Sequence, residues 1–215
     1  MSLWNIHLTQ ETPGCYKWTH YFPIYEKHFS SWRNKSLTFL EIGVYHGGSG
    51  PLWSKYFGPM ATIIGVDIDP ACKVHEKNNF LVRIGDQSNL SFLQSVIDEF
   101  GVPDIVLDDG SHKQNDVNAT FEFLYPKMGK NSIYMVEDLH TAYWQSYQGG
   151  INDPNTFLNK SKSYTDQLNH QHAPDQIQKN PLLNDTFSMS FYDSIVVFEK
   201  GIPYTKIAKW SGANS

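Results

Sequence analysis

The chain has 215 residues, 40% hydrophobic and 14% aromatic, enough large apolar side chains to close one core and to exclude intrinsic disorder of the body. Seventeen Lys and Arg against 22 Asp and Glu leave a formal charge of −5, which gives no electrostatic reason to expect a nucleic-acid partner. Two cysteines without CxxC or His spacing exclude a disulfide framework and a zinc site.

The start, MSLWNIHLTQET, has neither the basic nor the apolar region of a signal peptide, and no run of about 18 apolar residues could span a bilayer. A cytoplasmic protein without a membrane partner is expected. Residues 1–35 read as a helical cover. Apolar runs of strand length follow at 37–42, 62–66, 80–84, 104–107 and 133–136. Helical patterns lie between them, clearest at 89–100, where Leu90, Leu93, Val96, Ile97 and Phe100 repeat behind an Asn or Ser cap. This alternation predicts an α/β fold: a Rossmann-like, doubly wound sheet with helices on both faces and ligands beyond the carboxyl ends of its strands.

After Asp138 the pattern changes. Residues 141–154 are rich in Gly, aromatic and polar residues, 156–172 suit a helix, and 173–185 are polar with two prolines. Two β-rich runs, 187–192 and 195–199, flank Asp193 and Ser194 and predict a closing antiparallel hairpin. The tail 211–215 is expected to fray. The whole reads as one domain: cover 1–35, cofactor-binding core 36–138, lid or acceptor insertion 139–186, and closing hairpin 187–210.

The first strand runs into LEIGVYHGGSG, with Glu41 at its tip and Gly43, Gly47 and Gly48 before a helix from Ser49. Such glycines let the backbone turn sharply and approach a ligand. The spacing is not GxGxxG and no phosphate-loop Lys follows, which disfavours nucleoside triphosphates and a nicotinamide-dependent oxidoreductase. An acidic tip suits a ligand carrying an ammonium or sulfonium charge. Asp67, in GVDID, is placed to accept hydrogen bonds from ribose hydroxyls, and Asp86, in RIGDQ, from an adenine amino group. Any one of these acids could be a helix cap; the ordered series is the pattern of an S-adenosylmethionine site.

The fourth and fifth strands run into VLDDGSH and YMVEDLH. Consecutive strand residues point to opposite faces, so Asp108 can look toward the cofactor while Asp109 faces the substrate. If these strands are neighbours, about 4.8 Å apart, Asp109, Glu137 and Asp138 can converge on one cation, and an all-oxygen set selects Mg²⁺. His112 could then remove the proton of a chelated diol as its oxygen attacks a methyl group. The competing account pairs these acids with Lys or Arg, or makes them caps. His140 either touches substrate or caps a turn. Tyr143, Trp144 and Tyr147 offer flat faces for a sugar or aromatic ring, or cover the insertion's own packing. His170 and His172 read as structural.

With these residues in hand, the chain resembles the class I S-adenosylmethionine-dependent methyltransferases, and within them the metal-dependent sugar O-methyltransferases of the mycinamicin and macrocin type. The matching segments are KWTHYFPIYEKHF (17–29), FLEIGVYHGG (39–48), IIGVDID (63–69), IGDQ (84–87), DIVLDDGSH (104–112) and VEDLHTAYW (136–144). The last two carry the specificity, whereas the glycine turn is generic. The resemblance implies a sheet order of 3-2-1-4-5-7-6 with the last strand antiparallel. It implies Mg²⁺ on Asp109, Glu137 and Asp138, His112 as base, and Glu41, Asp67 and Asp86 on the cofactor. Thr141, Tyr143 and Trp144 would lie near the acceptor, a sugar or diol on a glycosylated metabolite or glycan. A catechol-type methyltransferase and a non-catalytic cofactor-binding module are the alternatives; a mere binder needs neither metal nor base. Members of the family carry a long amino-terminal domain that helps assembly, whereas about 35 residues precede the first strand here, so a homo-oligomer stays open.

Overall fold

The computed structural model describes residues 1–77, 79–201 and 207–212. Among them, β1 (Leu37–Ile42), β2 (Ala61–Asp67), β3 (Phe80–Ile84), β4 (Ile105–Asp108), β5 (Ile133–Val136), β6 (Thr186–Phe191) and β7 (Val196–Lys200) form one sheet. Its order, β3-β2-β1-β4-β5-β7-β6, is the one the resemblance implies. The pairs from β3 through β5 are parallel, and β7 runs antiparallel to both β5 and β6. Winding reverses between β1 and β4, the point where a doubly wound sheet opens a crevice at its carboxyl edge.

Both faces are buried through the middle of the sheet, at β1, β2, β4 and β5, which is why these strands read as continuous apolar runs, whereas the edge strand β6 has no buried residue. On one face Phe39, Ile63, Val82, Leu107 and Met135 join Phe22, Tyr25, Phe29, Trp53 and Phe57, supplied by α2 (Tyr21–Phe29) and α3 (Ser49–Phe57) beside α1 (Leu3–Leu8). On the other, Leu40, Ile64, Val66, Val106 and Tyr134 meet Leu93, Val96, Ile97, Val117 and Phe121 of α4 (Leu90–Phe100) and α5 (Gln114–Leu124). Helix α4 starts at its expected cap: the Asn89 side chain accepts from the N–H groups of Ser91 and Phe92.

Several boundaries differ from the sequence reading. Strand β4 begins one residue late, because the Asp104 carboxylate is occupied by the Thr38 N–H, and it runs on through Asp108, paired with Ile42 and Val136. The closing hairpin starts at Thr186 and ends at Lys200, with the Asp193 and Ser194 turn as expected, closed by Tyr192 N–H to Ile195 C=O at 2.8 Å. Of the parts assigned to hairpin and tail, residues 202–206 and 213–215 lie outside the described residues. The helix expected over 156–172 is α-helical only as α6 (Phe157–Tyr164), capped by Thr156, and tightens into a 3₁₀ helix over Thr165–His172. Hydroxyls of Ser161, Ser163 and Thr165 bond back to carbonyls three or four residues earlier, and such back-bonding competes with the α ladder. No helix among the described residues is long and apolar enough to cross a membrane.

Candidate cofactor and metal site

The carboxyl edge opens into a cavity of about 740 Å³. Gly43, Tyr45, Asp67, Ile68, Asp86 and Gln87 line it on the β1 to β3 side. Asp109, His112, Glu137, Asp138, His140, Thr141, Trp144 and Tyr147 line the β4 and β5 side, and Lys17, Trp18 and Tyr21 enter from the amino-terminal segment.

Gly43 is required by geometry: its φ is +97°, and a Cβ there would stand 2.2 Å from the Asp109 carbonyl oxygen. The Asp67 carboxylate accepts from the N–H groups of Val44 (2.8 Å), Tyr45 (3.0 Å) and Asp69 (2.9 Å). Burial works to raise its pKa, but these backbone donors outweigh it and hold Asp67 below the usual range. It is therefore a fixed, ionised acceptor facing the cavity. Asp86 is exposed and accepts from the Ser88 N–H and hydroxyl, so it caps a turn and lines the cavity at once. Gly47 (φ +74°) serves the turn but not the cavity wall, and its missing side chain makes room for the His75 ring.

Glu41 lies inside β1 rather than beyond it and does not line the cavity. It is fully buried, accepting from the Ser49 hydroxyl and from Trp53 Nε1 at 3.0 Å. Burial pushes its carboxyl up to about 7, against the opposing pull of Lys17, Ser49 and Trp53. A folded-state pKa above the unfolded one means the native protein binds more protons, so this group makes stability fall as pH rises from about 4.5 to about 7. Glu41→Gln keeps an acceptor for Trp53 and removes the charge. Its melting temperature is expected to gain on wild type between pH 5 and pH 8; parallel profiles in a thermal-shift series would exclude Glu41 as the source.

The register explains the acid cluster. Asp108 pairs with Val136, so Asp109 and Glu137 leave their strands at one level, on the face that carries α2. Glu137 is fully buried, accepting from Tyr25 Oη and from Lys17 Nζ at 2.9 Å. Lys17 also contacts Asp109. Burial acts against the Lys17 charge, but Asp109 and Glu137 outweigh it and hold its pKa well above the usual lysine value. Asp138 turns away in a left-handed conformation (φ +51°) and accepts from Tyr21 Oη at 2.5 Å. His112 is also left-handed (φ +57°), with Nε2 3.7 Å from Asp138 Oδ2 and 3.9 Å from Asp109 Oδ1. Each such conformation costs a non-glycine residue about 1 kcal/mol or more. One donor atom from each of Asp109, His112 and Asp138 lies within 4.8 Å of the others.

Asp108 faces the opposite way, buried against Tyr134 Oη (3.0 Å) and Gln87 Nε2 (3.2 Å), away from the cavity lining. Burial pushes its carboxyl up to about 7. Gln87 was not singled out by the sequence, yet its Oε1 accepts from the Ser111 N–H at 2.7 Å and so holds the loop carrying His112. Lys17 and Trp18 were also missed; their only signal was membership of the KWTHYF segment. Thr141 ties the two acidic loops together, donating to the Asp138 carbonyl at 2.7 Å and the His112 carbonyl at 3.4 Å. His140 touches Ser194 and packs against Trp144 and Trp18. Tyr143 points outside the cavity, half exposed.

No protein-family model matches the chain. It is 35% identical over 202 residues to the demethylmacrocin O-methyltransferase of Streptomyces fradiae, a match covering 86% of this chain and 50% of that enzyme. It is 35% identical over 196 residues to the mycinamicin VI 2''-O-methyltransferase of Micromonospora griseorubida, covering 85% of this chain and 48% of that enzyme. Among solved structures, the MycE methyltransferase of the mycinamycin pathway in complex with Mg and SAH superposes with a TM-score of 0.84 at 30% identity, covering 94% of this chain and 55% of the other. The same enzyme with Mg, SAH and mycinamycin VI gives 0.83 at 29% identity, covering 94% and 54%. The chain thus spans about half the length of the curated relatives it matches.

The sheet order, the acids at successive strand ends and these matches define a class I S-adenosylmethionine-dependent methyltransferase fold. Within that class the chain resembles the metal-dependent macrolide sugar O-methyltransferases of the mycinamicin and macrocin type.

Proposed function

We propose that the chain is an O-methyltransferase that passes the methyl group of S-adenosylmethionine to a sugar hydroxyl of a glycosylated small molecule, with Mg²⁺ as cofactor. The observation that carries this reading is the convergence of Asp109, His112 and Asp138 on the cavity that Asp67 and Asp86 also line. The donor chemistry fits a hard divalent ion: the carboxylates are oxygen donors, none of the three residues is a Cys, and their side chains stay 20 to 24% exposed. Asp109 and Asp138 would hold the ion together with Glu137, which stands outside that cluster with its oxygens engaged by Lys17 and Tyr25; when bound, the ion would polarise and acidify a chelated hydroxyl.

The remaining roles belong to the chain's own residues. Asp67 accepts from the ribose, Asp86 from the adenine, and Gly43 brings the β1 loop close to the cofactor. Glu41, underneath and outside the cavity lining, acts on the sulfonium only at a distance, through the negative charge it carries above about pH 7. His112 Nε2 takes the proton from the acceptor hydroxyl. Trp144 and Tyr147, with His140 and Thr141, wall the acceptor side, where flat apolar faces suit a sugar ring. Residues 1–35 act as cover, 36–138 as cofactor core and 139–186 as lid.

The test is product analysis. The chain is incubated with Mg²⁺, isotopically labelled S-adenosylmethionine and a panel of glycosylated small molecules, free sugars and catechols, and the products are read by mass spectrometry. Label on a sugar hydroxyl is the expected outcome. Label confined to catechols would move the acceptor class, and cofactor binding without product from any acceptor would leave a binding module.

A further inference from the structure

The acid cluster already has a cation of the chain's own. Lys17 Nζ lies 2.9 Å from Glu137 Oε2, contacts Asp109 Oδ2 and stands 4.0 Å from Glu41 Oε1, with its side chain 6% exposed. The same segment supplies Tyr21 Oη to Asp138 and Tyr25 Oη to Glu137 from adjacent turns of one face of α2. Every acid assigned to the metal therefore has a proton donor from residues 17–25.

We propose that Lys17 is the resident counter-ion of this site, holding Asp109 and Glu137 when no divalent ion is bound, and that a divalent cation displaces its ammonium from them on binding. This rests on the metal reading above. Bare carboxylates this close and this buried would repel one another, so the ammonium keeps the site formed. The ammonium holds Asp109 Oδ2, while Oδ1 of the same carboxylate faces His112; a dication on that carboxylate would stand a few ångströms from the ammonium, and like charges at that separation repel strongly in a poorly screened interior.

The displacement has somewhere to go. Tyr16 and Trp18, the neighbours of Lys17, are 87% and 50% exposed, so their side chains offer little resistance to a local shift at Lys17, while Cys15, packed against the core, anchors the chain before it. Tyr16 and Trp18 both line the cavity, and the Trp18 ring stands 6.2 Å from His140. Metal binding would thereby reset the wall facing the acceptor side. Lys17 acts here as a positioning residue, through the carboxylates.

Lys17→Met retains much of the aliphatic stem and removes the charge. With Mn²⁺ as the probe, followed by its electron paramagnetic resonance signal, the variant is expected to bind about tenfold or more tightly than wild type. A second measurement uses the wild-type chain and does not depend on the variant folding: amine-reactive labelling read by mass spectrometry. Lys17 should be protected without Mn²⁺ and reactive at saturating Mn²⁺. Protection that persists in saturating Mn²⁺ overturns the proposal, even if the variant binds more tightly, since that result is repulsion without displacement. Equal affinity of variant and wild type overturns it as well. Absence of Mn²⁺ binding by both proteins removes the metal reading itself, an outcome distinct from either of these.

Discussion

Excess chelator is expected to abolish methyl transfer, and added Mg²⁺ to restore it, while S-adenosylmethionine binding survives largely intact. A bound metal ion that polarises a reacting oxygen contributes several kcal/mol to the barrier, which at about 1.4 kcal/mol per decade corresponds to a loss of about a thousandfold or more in turnover. The survival of cofactor binding follows from the topology. Gly43 and Asp86 follow β1 and β3, Asp67 ends β2, and the Asp67 carboxylate is fixed by backbone N–H groups of its own and the β1 loop. The acids proposed for the metal follow β4 and β5. Chelation leaves the first set untouched, and Lys17 still neutralises the second. Titration calorimetry and a labelled-methyl assay on one sample separate the two effects. Full turnover in excess chelator would take the metal out of the mechanism; loss of cofactor affinity on chelation would show that the two edges are coupled.

The acids at the strand ends were legible because a strand's period of two and a parallel ladder leave little freedom. Once β4 and β5 are neighbours in register, Asp109 and Glu137 must emerge level and on one face, with Asp108 on the other. The same rule misplaced Glu41 only in depth: it sits on the face the alternation gives it, but within β1, where Ser49 and Trp53 of the following helix enclose it. Lys17 was invisible for a different reason. It lies 92 residues from Asp109 and 120 from Glu137 in sequence, and the contact exists only because α2 packs its aromatic face on the β1 side of the sheet. Nor could the sequence show that His112 and Asp138 adopt left-handed backbones, since neither is a glycine. The structure brings that pair of strained residues together at the mouth of the site, the kind of place where strain concentrates.

His112→Ala is expected to fold and bind cofactor and yet lose about a hundred- to ten-thousandfold in turnover number, the range for removal of a positioned general base. The imidazole faces the open side of the acid pair, with Nε2 3.7 Å from Asp138 and 3.9 Å from Asp109, which is where a hydroxyl held between those carboxylates would present its proton. Two other accounts of a rate loss must be separated from this one. The first is backbone strain: His112 has a φ of +57°, which alanine adopts at a cost. His112→Asn is the control, because asparagine tolerates left-handed backbone and has no basic nitrogen, so the two variants should be equally slow while Asn keeps the higher melting temperature. A rate restored by Asn would assign the loss to the backbone. The second account makes His112 a metal ligand, as its distance to both carboxylates also allows. Mn²⁺ affinity decides: a base leaves it within a few-fold of wild type, whereas loss of a ligand weakens binding about tenfold or more. If either variant keeps more than about a tenth of the wild-type rate at saturating acceptor, proton removal belongs elsewhere, and His140, 4.0 Å from Asp138 on the other side of the pair, is the next residue to replace.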